Sequence, residues 1–149
     1  LFTAVVTELT AAATTSQPHL QPLLAKVLVR LGACEVMMDR HESGINHLQQ
    51  GLGYDVNQKE RAFALTYIGA SALERGGVAS IPAILQESLA LSRQSGDRSG
   101  EARALSLLNT EIYGLGNAIN HCEESLAIWR ELGRPDRIAE VSGMLICAA

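Results

Sequence analysis

The chain has 149 residues, the length of one ordinary domain, and its 47% hydrophobic content is enough for a real core. A formal charge of −4 and a pI near 5.5 argue against direct binding of nucleic acid, which needs clustered Lys and Arg to release counterions. Three cysteines, Cys34, Cys122 and Cys147, lie far apart without CxxC spacing, so neither a disulfide framework nor a zinc site is suggested and a reducing, cytoplasmic setting is expected.

The first stretch, LFTAVVTELTAAATT, is apolar but carries Glu8 and lacks a basic leader, which speaks against a signal peptide or a membrane span. Residues 1–19 are expected to form an N-terminal helix or the end of a preceding repeat. Because the chain begins at Leu1 and stops within the apolar LICAA, it reads as a fragment of a longer protein.

From residue 20 onward the pattern is helical. Leu28, Leu31 and Gly32 share one helical face, since positions three and four apart are neighbours. A turn containing His41 follows, then Ser43 as the expected N-cap of a second helix carrying Ile45, Leu48, Gly51 and Leu52. That helix is expected to end near Gly51 to Gly53, with Asp55 or Asn57 restarting the chain. The next face is Leu65, Ile68 and Gly69, and Ser80 is the next expected cap, with Pro82 tolerated just after it. Leu85, Ser88 and Leu89 then lead to Gly96, where a residue able to adopt positive φ closes the helix. Asp97 or Ser99 opens a third pair, with Ala102, Leu105 and Ser106, Asn117 as cap, then Cys122, Ser125 and Leu126 up to Gly133. Pro135 opens a last helix containing Ala139 and Gly143.

These elements repeat. INHLQQGL at 45–52 and INHCEESL at 119–126 stand 74 positions apart, with PAILQESL at 82–89 between them. Gly32, Gly69, Ser106 and Gly143 are each 37 apart, as are Ser43, Ser80 and Asn117. ALTYIG at 64–69 and ALSLLN at 104–109 match instead at a spacing of 40, but 37 needs no gap and is the preferred register. The expected architecture is all-α: antiparallel helix pairs stacked into an α-solenoid, with units at about 20–56, 57–96, 97–133 and a partial fourth at 134–149.

No stretch reads as an active site. HESGINH, 41–47, suggests the HExxH zinc signature, but its histidines are six apart, about 600° of helical rotation, and do not share a face. His41 is expected in a solvated turn. His47 and His121 recur by repetition, and Cys122 stands where Leu48 and Leu85 stand, as a core residue more than a nucleophile. Glu123 and Glu124 are adjacent and point in different directions. There is no GxxxxGK[ST] loop, G-x-S-x-G elbow or paired metal motif. No enzyme activity, cofactor or metal is expected.

With its L-x-x-L-G face, small residues in the second helix and two-helix unit, the chain resembles the tetratricopeptide repeat (TPR) family over roughly residues 20–149. It departs from that pattern where Glu35, Ala72 and Asn109 replace the family's tyrosine and Val56, Arg93 and Arg130 its late proline. ESLALSRQSGDRSGEARAL at 87–105 and EESLAIWRELGRPDRIAE at 123–140 look like the arrays of large bacterial signalling proteins, including LuxR-type and maltose-activator-like transcriptional regulators. The resemblance implies a right-handed superhelix whose first helices line a concave groove. Carried over, the groove residues are Val29, Ala33, Val36 and Met37, then Phe63, Thr66, Ala70, Leu73 and Glu74, then Arg103, Leu107, Thr110 and Glu111. Val29, Ala33, Thr66 and Ala70 leave no place for the carboxylate-gripping groups of some relatives. The expected function is a non-catalytic scaffold for a protein or peptide, or for other domains of the same parent chain. The alternatives are a sensor of a small molecule or signalling peptide, and a self-association module forming a homodimer.

Overall fold

A computed structural model describes residues 2–15, 18–76, 81–108 and 115–148, and among these every regular element is helical. In chain order they are α1 (Phe2–Thr15), a 3-10 turn (Pro18–Leu20), α2 (Gln21–Met37), α3 (His41–Leu52) and α4 (Gln58–Glu74). Then follow α5 (Ile81–Gln94), α6 (Arg98–Leu107), α7 (Leu115–Glu131) and α8 (Pro135–Ala148).

Local chemistry sets several of these boundaries. Asn57 caps α4, its side chain accepting the Glu60 N–H at 2.9 Å. Pro135 occupies the first turn of α8, where a missing N–H costs nothing. Gly96 (φ 67°) and Gly133 (φ 63°) close α5 and α7: each N–H reaches back three residues, and the next N–H reaches back five, to Ser92 O and Trp129 O. Asp39 makes the same closure after α2, with Arg40 N–H on Glu35 O at 2.9 Å, yet it is not a glycine and sits at φ 60°.

Two expected caps are corrected. Arg40 is the N-cap of α3, and Ser43 lies in its first turn with Oγ donating to Arg40 O at 3.3 Å. The tight closure at Asp39 leaves three residues between α2 and α3, so the second helix begins before Ser43. Asn117 lies inside α7, while Ser80 falls outside the described residues.

The helices pack as α2 on α3, α4 on α5 and α6 on α7, with α5 also against α6 and α7 against α8. Across the pairs, α2 meets α4 and α4 meets α6. Leu24 and Leu28 pack with Val6 of α1 and with Tyr54. Val29, Val36, Leu48 and Ala64 make a second cluster, and the largest joins Leu85, Leu105, Cys122, Ile128, Trp129 and Val141.

Small residues stand at the crossings. A Cβ on Gly32 would lie 2.6 Å from Gly44 O and 2.9 Å from Leu48 N, so α2 and α3 touch backbone to backbone. Gly69 stands against Leu85, 37 residues beyond the Gly32–Leu48 contact on both sides, with a Cβ there only 2.5 Å from Leu85 Cδ2. Ser88 Oγ donates to Ala62 O and Ser125 Oγ to Ala102 O, each at 2.8 Å. The serines are 37 apart, but the carbonyls they meet are 40 apart, as are the N-caps Asn57 and Asp97. The preferred register for α6 is therefore corrected: it follows α4 at 40, and Ser106 is not the partner of Gly69. Gly143 is exposed with nothing near its Cβ position, so it makes no close approach like that of Gly32.

Candidate interaction face on α2, α4 and α6

The face begins at the start of α4. The Asn57 cap sets its first turn, in which Glu60 is buried and receives two hydrogen bonds from Arg30 Nη2 of α2, at 2.9 and 3.1 Å. This pair holds the Arg30 guanidinium 3.7 Å from the centroid of the Phe63 ring, one turn further along α4. Phe63 packs in a tilted arrangement on Tyr67, ring centroids 4.8 Å apart, as an i, i+4 pair. From α6, Arg103 Nη1 donates to Tyr67 Oη at 2.9 Å, with its guanidinium carbon 5.9 Å from the Phe63 centroid.

Arginine, aromatic and arginine thus form one ribbon across three alternate helices, α2, α4 and α6. Arg30 is matched by Glu60. No carboxylate pairs with Arg103 among the described residues, and its buried Nε has no hydrogen-bond partner there. The ribbon can receive an acidic or aromatic group on a cationic, π-rich surface.

The expected groove residues divide into several groups. Phe63 and Arg103 belong to the ribbon. Val29, Ala33, Val36 and Thr66 are buried: Val29 packs against Gly51, Val36 against Gly44, and Thr66 Oγ1 bonds Ala62 O at 2.9 Å and Ser88 Oγ at 2.7 Å. They hold each pair together and offer a partner no surface, because the closer helix crossing turns that side inward. Leu73 and Leu107 are half-buried against the largest cluster. Met37 is 67% exposed at the end of α2, and the exposed Glu74 reaches toward α3, not along the ribbon. Thr110 and Glu111 lie outside the described residues.

Sequence reasoning missed Arg30, Tyr67 and Glu60. The i, i+4 spacing of Phe63 to Tyr67 was the available signal, and nothing local marks Arg30 or Glu60.

The titratable residues outside the ribbon are also placed. His41 opens α3 instead of sitting in a solvated turn, with Nδ1 3.0 Å from Ser71 Oγ and Nε2 3.1 Å from Glu74 Oε2 on α4. His47 Nδ1 contacts Glu35 Oε2 at 2.6 Å, and His121 Nδ1 lies 3.4 Å from Leu108 O. Cys122 is wholly buried, and burial raises its thiol pKa, so it is held as a thiol in the core. Among the described residues no helix is long and apolar enough to cross a membrane. No family model and no curated protein matches this chain.

Proposed function

We propose that this chain is a non-catalytic, cofactor-free scaffold of the tetratricopeptide kind, a cytoplasmic piece of a larger bacterial signalling or transcriptional regulator that binds a protein or peptide. The solenoid reading is supported by the recurrence of the Gly32–Leu48 and Gly69–Leu85 contacts and by the α2–α4 and α4–α6 contacts between pairs. The observation that carries the binding reading is the Arg30–Phe63–Tyr67–Arg103 ribbon, which spans three helices and combines the residue types that anchor interfaces. The partner chemistry that suits it is an acidic, aromatic-bearing peptide segment.

The test is selection from a displayed random-peptide library, followed by direct titration. Enrichment of acidic peptides is expected, with binding weakened about tenfold or more by Phe63→Asp or Arg103→Ala at unchanged helicity. No enrichment, or binding indifferent to both substitutions, would remove the ribbon as the site.

A second reading, self-association, is favoured by one feature: α8 carries Ile146 at 78% exposure.

A further inference from the structure

We propose that Asp39, His41 and Glu74 form a binding site for one divalent transition-metal ion, of which zinc is the representative, clamping the first helix pair to the second. One ligand atom from each lies within 4.8 Å of the others. The three come from the α2–α3 corner and from the last turn of α4, so they are brought together only by the packing of one pair on the next. In the sequence His41 and His47 stand six positions apart and share no helical face. The partner that the fold supplies is Glu74, 33 positions away on another helix.

A tetrahedral ion with bonds of about 2.1 Å holds its ligand atoms about 3.4 Å apart. The 3.1 Å between His41 Nε2 and Glu74 Oε2 is close to that separation. Glu74 and Asp39 are exposed, so rotation of their side chains can close the remaining distance.

His41 is oriented as a ligand is. Its Nδ1 lies 3.0 Å from Ser71 Oγ, and in the tautomer whose Nδ1–H donates to that hydroxyl the Nε2 lone pair faces the Glu74 carboxylate, where a cation can join the two. A proton on Nε2 fills the same gap, so the metal competes with a single hydrogen. One imidazole nitrogen with two carboxylate oxygens suits a first-row divalent ion such as zinc, with water completing the shell on the open side. Asp39 and His41 border an open surface depression that also holds the carboxylate of Glu42 and the guanidinium groups of Arg40 and Arg75.

Asp39 is held at a fixed corner of the chain. It occupies the left-handed closing position of α2, where Gly96 and Gly133 close α5 and α7, and Gly76 follows α4 at φ 72°.

The experiment is calorimetric titration of zinc into tag-free, metal-stripped protein at neutral pH, with melting followed in parallel. One ion per chain and a raised Tm are expected. Asp39→Gly, His41→Gln and Glu74→Gln should each weaken binding at least tenfold, and Ser71→Ala, which only orients His41, about tenfold. Asp39→Gly is the decisive variant, because glycine suits the φ of 60° and the fold survives the loss of the ligand. His47→Gln should leave the affinity unchanged. Absence of zinc binding, retention of it in Asp39→Gly and His41→Gln, or its loss in His47→Gln would overturn the proposal.

Discussion

Gly32 and Gly69 show how the same residue type at the same phase meets different demands. A methyl at Gly32 would collide with the Gly44 carbonyl and the Leu48 amide, neither of which can move without shifting a helix. At Gly69 the obstacle is the tip of the Leu85 side chain, which can change rotamer. Gly32→Ala is therefore expected to destabilise the fold by about 2 kcal/mol or more and Gly69→Ala by less, read from urea midpoints at unchanged slope. Equal losses would mean that the two crossings are equally rigid. Asp39→Gly goes the other way: relief of the left-handed conformation is offset by greater chain entropy, for a net change from neutral to about 1 kcal/mol stabilising in metal-free protein. At this scale the sequence was only partly legible. Glycines that close helices were read because nothing else at those positions explains them. Ser43 and Asn117 were misread because a small polar residue looks the same at a cap and one turn inside it. Arg30 and Tyr67 lie on different helices, and only the packing of α2, α4 and α6 brings them into one ribbon.

Between elements, α5, α6 and α7 are tied by ion pairs centred on Glu101. This largely buried carboxylate accepts from Arg93 Nε at 2.8 Å and Arg98 Nη1 at 2.7 Å, while Arg93 also pairs with Glu124 and Arg98 with Glu131. Burial pushes the Glu101 pKa up, but the hydrogen bonds from Arg93 and Arg98 outweigh it and hold it below the ordinary value of 4.5. A carboxylate whose folded pKa is depressed contributes stability that is complete above its unfolded value and is lost as pH falls through the folded one. Glu101→Gln is expected to cost about 1–2 kcal/mol near neutral pH, a modest figure because both arginines are half exposed. The variant should also lose less of its Tm than the unchanged chain between about pH 6 and about pH 3. Parallel acid profiles for the two proteins would show that the network does not govern acid sensitivity. Asp136, held down to about 2 by the hydrogen bond from Arg134, titrates further into acid. The register of α6 belongs to this scale. Ser106 matched Gly32 and Gly69 in phase, but the N-caps Asn57 and Asp97 and the carbonyls met by Ser88 and Ser125 follow the spacing of 40 that ALTYIG and ALSLLN also carry, and the tertiary contacts decide between the two registers.

Over the whole molecule, helicity and pairing were legible because apolar periodicity and helix stops repeat, and repetition multiplies a weak signal. The face that pairs present outward was not, since the resemblance carried over Val29, Val36 and Thr66, which this chain uses inside its seams. If α8 mediates self-association, Ile146→Lys is expected to give monomers at concentrations where the unchanged chain forms dimers, by light scattering. Identical masses for the two would remove α8 as the contact.

The serine bonds give these seams a mechanical character. An apolar seam alone lets one helix slide along another at little cost, exchanging one greasy contact for the next. Ser88 and Ser125 each lock onto a single carbonyl of the opposing helix, so a slip of one turn strands a buried hydroxyl away from water. Each joint behaves as a detent that sets the register of α5 on α4 and of α7 on α6.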